Sequence, residues 1–213
     1  MDRTHERNRA SGGRLENVSG SLLVRRFSVR QPEMYRVVEA VLASRLTSID
    51  KAALCELAQT AMDIEFDGLN GDFLQVGCGL GGAAIVIAHA KRRNRTLMVY
   101  DPFAGNPDAE MQTRRALTTH NADERLNVQL VPGSYEETLT SNEPLALAHI
   151  DCGEYAPTYL LLERLAPRLV PGGHLIIGDY RTKEECRKAV DDYFRGRRGF
   201  KLVRQSRLHV IRS

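Results

Sequence analysis

The rhythm of apolar and polar positions changes near residue 71. Before it, Tyr35, Val38, Val41 and Leu42 recur at helical spacing, as do Leu54, Leu57, Ala58 and Met62. Pro32 suits the first turn of the first helix, and Ser48 or Asp50 can cap the second. Asp67-Gly68-Leu69-Asn70-Gly71 then breaks the pattern. Beyond it, short apolar runs alternate with longer helical ones. Strands are predicted at 72–76, 96–100, 128–131, 145–150 and 174–177, and helices at 82–92, 107–120, 157–169 and 182–195. Phe200 to Arg204 and Leu208 to Ile211 close the chain as a hairpin. Strands alternating with helices predict an α/β fold: a mostly parallel seven-stranded sheet covered on both faces, with a terminal antiparallel hairpin. Residues 1–30 are polar and read as a flexible basic arm, 31–70 as a helical cover, and 71–213 as the ligand-binding domain.

Composition narrows the class. With 213 residues, 42% apolar and 27% charged, the chain has ordinary globular usage. No run approaches the ~20 apolar residues of a membrane span, so no membrane partner is expected. The start lacks a signal-like apolar stretch, and a cytoplasmic protein is expected. Cys55, Cys78, Cys152 and Cys186 show no C-x-x-C pair and read as reduced thiols. The net charge of +3 hides a division: residues 1–30 carry +4, 31–180 carry −8 and 181–213 carry +7. Lys91-Arg92-Arg93-Asn94-Arg95 reads as a solvated helix end, where cations complement the macrodipole. Aromatic residues are not interleaved with the basic clusters, so no nucleic-acid partner is expected.

Open parallel sheets bind ligands at the carboxyl ends of their strands. Gly77, Asp101 and Asp151 stand there. Val76-Gly77-Cys78-Gly79-Leu80-Gly81-Gly82 follows the first core strand and opens a helix. Gly77, Gly79 and Gly82 satisfy the dinucleotide pattern, while Gly77, Gly79 and Gly81 suit the methionine moiety of S-adenosylmethionine, the reading placed first. A packing turn without ligand is the third reading. Asp101 ends the next strand and can accept two hydrogen bonds from a ribose diol. His149, two residues before Asp151, either lines the site or is a satisfied strand histidine.

The later chain separates these readings by resemblance. Leu169-Val170-Pro171-Gly172-Gly173-His174-Leu175-Ile176-Ile177-Gly178-Asp179 resembles the fifth-strand entry of Rossmann-like methyltransferases, and Phe200 to Arg212 resembles their terminal antiparallel pair. More specifically, the chain from residue 47 onward resembles the macrocin O-methyltransferase family. Gly71-Asp72-Phe73-Leu74-Gln75-Val76-Gly77 looks like its G-D-F-x-E-x-G, with Gln75 replacing the acid. Gly81-Gly82-Ala83 matches G-G-A, and Asp101-Pro102-Phe103-Ala104-Gly105 resembles D-S-F-E-G. Asn127 to Leu139 resembles N-V-x-x-x-x-G-x-x-x-x-T-L. Cys186-Arg187-Lys188-Ala189-Val190-Asp191-Asp192-Tyr193 is close to C-R-x-A-V-D-D-[FY], the most distinctive match.

The resemblance implies a Rossmann-like methyltransferase fold, S-adenosylmethionine as cofactor and a small-molecule acceptor, with O-methylation of a sugar or other natural-product hydroxyl. It implies that Gly77, Gly79, Gly81, Asp101, Ser134, Tyr135 and Asp151 meet the cofactor, with Tyr135 either stacking on adenine or serving as a packed loop aromatic. The family's D-G-D-x-Y binds magnesium through its first acid and draws its base from the third position. Here that segment is Asp151-Cys152-Gly153-Glu154-Tyr155. The family's I-D-D-Y keeps both acids near the metal, where this chain has Ile177-Gly178-Asp179-Tyr180. Asp151 and Asp179 are therefore expected as catalytic carboxylates and as the remaining magnesium ligands. The N-terminal helices are expected to cover the cleft or to make the contact of a homo-oligomer. Two alternatives stay open: an S-adenosylmethionine protein with other chemistry, and a non-catalytic cofactor sensor or partner-binding protein.

Overall fold

The structure, a computed structural model, describes residues 20–213. Helix α1 (20–30) leads into α2 (Pro32–Ala43) and α3 (Lys51–Phe66). There follow β1 (Asp72–Val76), α4 (Gly82–Ala90), β2 (Leu97–Asp101), α5 (Pro107–Thr119), β3 (Val128–Pro132) and the single turn α6 (Tyr135–Thr138). Then come β4 (Leu145–Ile150), α7 (Tyr155–Leu165), β5 (Leu169–Ile177), α8 (Glu184–Phe194), β6 (Phe200–Arg204) and β7 (Leu208–Arg212). Local chemistry sets several boundaries. Pro32 and Pro107 stand in first turns. The Asp50 carboxylate caps α3 by accepting from the Ala53 amide at 2.9 Å.

The seven strands form one sheet in the order β3-β2-β1-β4-β5-β7-β6. Pairs among β1 to β5 are parallel, while β7 runs antiparallel to both β5 and β6. The sheet is covered on both sides, as the apolar runs require. One face packs Phe73, Leu97, Val99, Leu147 and Ile176 against α2, α3 and α4. The other packs Leu74, Val76, Ile150, Leu175 and Val210 against α7 and α8. The strand order reverses between β1 and β4, so the carboxyl ends of these two strands flank a crevice.

Three sequence expectations change. The flexible arm expected over 1–30 lies outside the described residues up to residue 19, and residues 20–30 are helix. Phe27, only 4% exposed, docks this helix on the core, with Leu23 and Val24 beside it. Pro171-Gly172-Gly173 does not precede the fifth strand but lies within it, where the register against β4 shifts between Leu145 and Leu147. The basic run 91–95 is a solvated helix end only at Arg92, Arg93 and Asn94, which are exposed. Helix α4 stops at Ala90, Lys91 is buried with its ammonium on the Leu126 carbonyl, and Arg95 is spent inside the protein. Its Nε and Nη2 donate to Glu65 at 2.6 and 2.9 Å, and Nη2 reaches the Leu69 carbonyl at 2.7 Å.

Candidate functional site

The glycine loop leaves β1 with Gly77, Gly79 and Gly81 all in the left-handed region, at φ 72°, 51° and 88°. Gly77 has a second reason to lack a side chain: a Cβ there would overlap the Asp151 carbonyl oxygen. The loop is thereby seated against the end of β4. Asp101, ending β2, holds it from the other side. Its Oδ2 accepts from the Cys78 and Gly79 amides at 2.7 and 3.2 Å, and its Oδ1 from the Phe103 amide at 2.7 Å. Each carboxylate oxygen has further acceptor capacity for a ribose hydroxyl. The Cys78 thiol is pushed well up by burial and then by Asp101, so it stays protonated.

A cover closes over this loop. The segment between α2 and α3 touches the start of α4, where the Gly82 amide donates to the Leu46 carbonyl at 3.2 Å. An open cleft of about 340 Å³ lies between them, lined by Arg45, Thr47, Ser48, Gly77, Gly79 and Asp151. A Cβ at Gly79 would meet nothing within 4 Å, so the loop faces open space. These residues fit the methionine end of S-adenosylmethionine. A larger cavity, about 830 Å³, lies between α1 and α3 beside Gly172 and His174. It sits at the start of β5, away from the strand ends that carry the polar groups.

Asp151 and Asp179, following β4 and β5, come together. The Asp151 carboxyl is pushed up by burial and by the charge of Asp179, against the opposing pull of Arg207. A side-chain carbon at Gly178 would overlap Asp151 Oδ1. At Gly153 it would lie 3.1 Å from both Asp179 Oδ2 and Lys183 Cγ, with Lys183 Cδ at 3.5 Å. Asp179 Oδ1 accepts from the Thr182 hydroxyl at 2.9 Å. Arg207 donates from Nη1 to the Gly178 carbonyl at 2.6 Å, while its buried Nε has no partner among the described residues.

The expected magnesium meets a poor donor set here. Among the described residues no three His, Cys, Asp or Glu side chains gather as ligands. Two carboxylates and water can suffice for magnesium, but a lysine chain and Asp179 share the space at Gly153. The site does not fit a divalent ion.

Helix α8 braces both acidic loops. Asp191 accepts from the Tyr180 hydroxyl at 2.9 Å, and Asp192 from the Tyr155 hydroxyl at 3.2 Å. The consecutive acids of its motif thus each hold the tyrosine that follows one site loop. His149 proves to be the satisfied strand histidine: 1% exposed, its Nδ1 lies 2.6 Å from Gln75 Oε1 on the register partner of β1. Tyr135 is also packed away, 9% exposed beside Val76 and Tyr100, leaving little ring face for stacking. The Ser134 carbonyl accepts from the Thr138 hydroxyl at 2.7 Å, within the α6 turn.

Sheet order, glycine loop and paired acidic loops define the class I methyltransferase fold. Residues 37–130 and 122–202 match the sequence profile of the macrocin-O-methyltransferase family (TylF), and the chain belongs to this family. It is 28% identical over 181 residues to demethyldecarbamoylnovobiocin O-methyltransferase of Streptomyces niveus, covering 71% of this chain and 68% of that one. It is 33% identical over 161 residues to 8-demethyl-8-(2,3-dimethoxy-alpha-L-rhamnosyl)-tetracenomycin-C 4'-O-methyltransferase of Streptomyces olivaceus, covering 62% of this chain and 61% of that one. The chain thus spans about two thirds of the length of these relatives. Among solved structures, the O-methyltransferase NovP superposes with a TM-score of 0.69 at 26% identity, covering 78% of this chain and 81% of that one. At the level of fold alone, so does TomG of Streptomyces achromogenes in complex with SAM, with a TM-score of 0.61, 11% identity and coverage of 85% and 90%. No described helix is long and apolar enough to cross a membrane.

Proposed function

We propose that this chain transfers the methyl group of S-adenosylmethionine to a hydroxyl of a sugar or other small natural product in bacterial secondary metabolism. The observation that carries the reading is the cleft that runs from Gly77 and Gly79 to the carboxylate-bearing end of β4 at Asp151. S-Adenosylmethionine supplies, when bound, an electrophilic methyl group on sulfur. Gly77 and Gly79 leave the backbone bare beneath its methionine part, Gly81 turns instead toward Thr113 and Leu117 of α5, and Asp101 takes the ribose hydroxyls. The segment 45–49 forms one wall of this cleft.

A hydroxyl is a weak nucleophile until its proton leaves. Asp151 receives that proton in this reading. Burial and Asp179 raise its affinity for it, which matches a base to a weak acid better than an exposed carboxylate would. Asp179 shapes the field at Asp151 and contacts the acceptor. Calorimetry with S-adenosylhomocysteine tests the cofactor half: the chain binds it, and Asp101→Ala weakens binding at least about tenfold, the worth of a lost charge-assisted hydrogen bond. Incubation with glycosylated natural products, read by mass spectrometry, tests the other half through the appearance of one added methyl group. Failure of the chain to bind S-adenosylhomocysteine overturns the reading.

A further inference from the structure

The acceptor end of the cleft holds three charged groups whose bonding is incomplete. The Asp151 carboxylate has no hydrogen-bond donor among the described residues, although it is partly buried. Arg207 reaches the same corner with a buried Nε left unpaired. Lys183 is the third. Its main chain is fixed, the amide donating to the Asp179 carbonyl at 2.9 Å and the carbonyl accepting from Arg187 at 3.1 Å. Its stem lies over Gly153, with Cγ and Cδ 3.1 and 3.5 Å from the point where a side chain would begin. The same point is 3.1 Å from Asp179 Oδ2. The Lys183 ammonium, two bonds further on, has no hydrogen-bond or ion-pair partner among the described residues.

Gly153 is what allows this. Any larger residue would compete with the lysine stem for one volume beside Asp179. Gly178 acts in the same direction, since a side chain there would displace the Asp151 carboxylate from its present position. The two glycines remove charge and open room together, and a basic chain occupies part of that room. The lysine chain and Asp179 both border Gly153, and a positive charge near a carboxylate weakens the field that attracts a divalent ion.

We propose that Lys183 is the cation of the acceptor site, a positioning residue that holds the acceptor's oxygen for Asp151, and that the site takes no divalent metal. The proposal deepens the methyl-transfer reading and rests on it for the identity of the acceptor. The ammonium donates a hydrogen bond to a lone pair of the acceptor hydroxyl and keeps its own protons. The hydroxyl proton passes to Asp151, the oxygen electron pair forms the bond to the methyl carbon, and the carbon–sulfur bond breaks toward sulfur.

Manganese serves as a paramagnetic probe of the carboxylate pair, titrated into the full chain and read by electron paramagnetic resonance, with and without S-adenosylhomocysteine. The wild-type chain shows no binding that Asp179→Asn removes. Lys183→Ala gains manganese affinity of about tenfold, as loss of a neighbouring like charge predicts, and adding Asp179→Asn abolishes the gain. Lys183→Arg stays like wild type. Lys183 is exposed, so these variants fold. Wild-type binding sensitive to Asp179→Asn overturns the proposal, and so does a Lys183→Ala variant indistinguishable from wild type. The manganese readout does not require cofactor, so it stands or falls apart from the calorimetric test of methyl-donor binding.

Discussion

At the scale of single residues, a few side chains and absent side chains set the cleft. Gly77 carries two constraints, a left-handed backbone and the Asp151 carbonyl against its Cα. Gly77→Ala violates both. It should destabilise the fold by about 1–3 kcal/mol and lower S-adenosylhomocysteine affinity, measured by urea unfolding and calorimetry. The short strand ending at Gly77 and the carboxylates at Asp101 and Asp151 were legible from residue type and strand position alone. The role of His149 was not. Its partner Gln75 is 74 residues away, and only the register of β1 against β4 brings the two together. Lys183 was equally hidden, because its meaning depends on the empty volume at Gly153 across a loop.

Among elements, the N-terminal cover departs most from the sequence reading. Helices α2 and α3 showed their spacing plainly, but α1 did not. Its apolar residues Leu22, Leu23, Val24 and Phe27 are interrupted by Arg25, Arg26 and Arg30, and the polar stretch before it carries no stop signal. Packing against the core supplies what intrinsic propensity does not. Phe27→Ala should therefore cost about 3–5 kcal/mol in urea unfolding, whereas a residue of a flexible arm would change stability little. The strands were legible because glycine, proline and aspartate punctuate them. The exception is Pro171-Gly172-Gly173, whose turn residues sit in a bulged part of β5. Helix α8 shows why a motif can be recognised before it is understood. Asp191 and Asp192 meet Tyr180 and Tyr155 only once the sheet has placed both loops above it.

Across the whole molecule, buried titratable groups tie distant parts of the chain and set its pH response. Burial, with Arg207 nearby, pushes the His149 pKa down to about 3, and burial with His209 pushes that of His174 down to about 4. Both rings take up protons more readily in the unfolded chain, so stability falls as pH drops below about 6.5. His149 alone should account for about 2 kcal/mol lost by pH 5. Urea unfolding at pH 7.5, 6 and 5 checks this, and His149→Gln should flatten the dependence. A second decline begins at lower pH. Burial alone would raise the Glu56 pKa, but His209 and Ser206 outweigh it and hold the carboxyl below its ordinary value of 4.5. Its contribution is present above that value and is lost as pH falls through the folded value.

The Glu56–His209 contact has one more consequence. The two side chains meet at 2.5 Å across 153 positions of sequence, with the Ser206 amide on the second carboxylate oxygen at 3.0 Å. Glu56 belongs to the helical cover, and His209 to the strand that follows every other element in the chain. During synthesis α3 emerges long before its partner, and its buried carboxylate waits in water until β7 is added. The cover can therefore reach its final seat only after the sheet is complete. Closing so long a loop is a slow step, so the cover settles after the strands it rests on have paired.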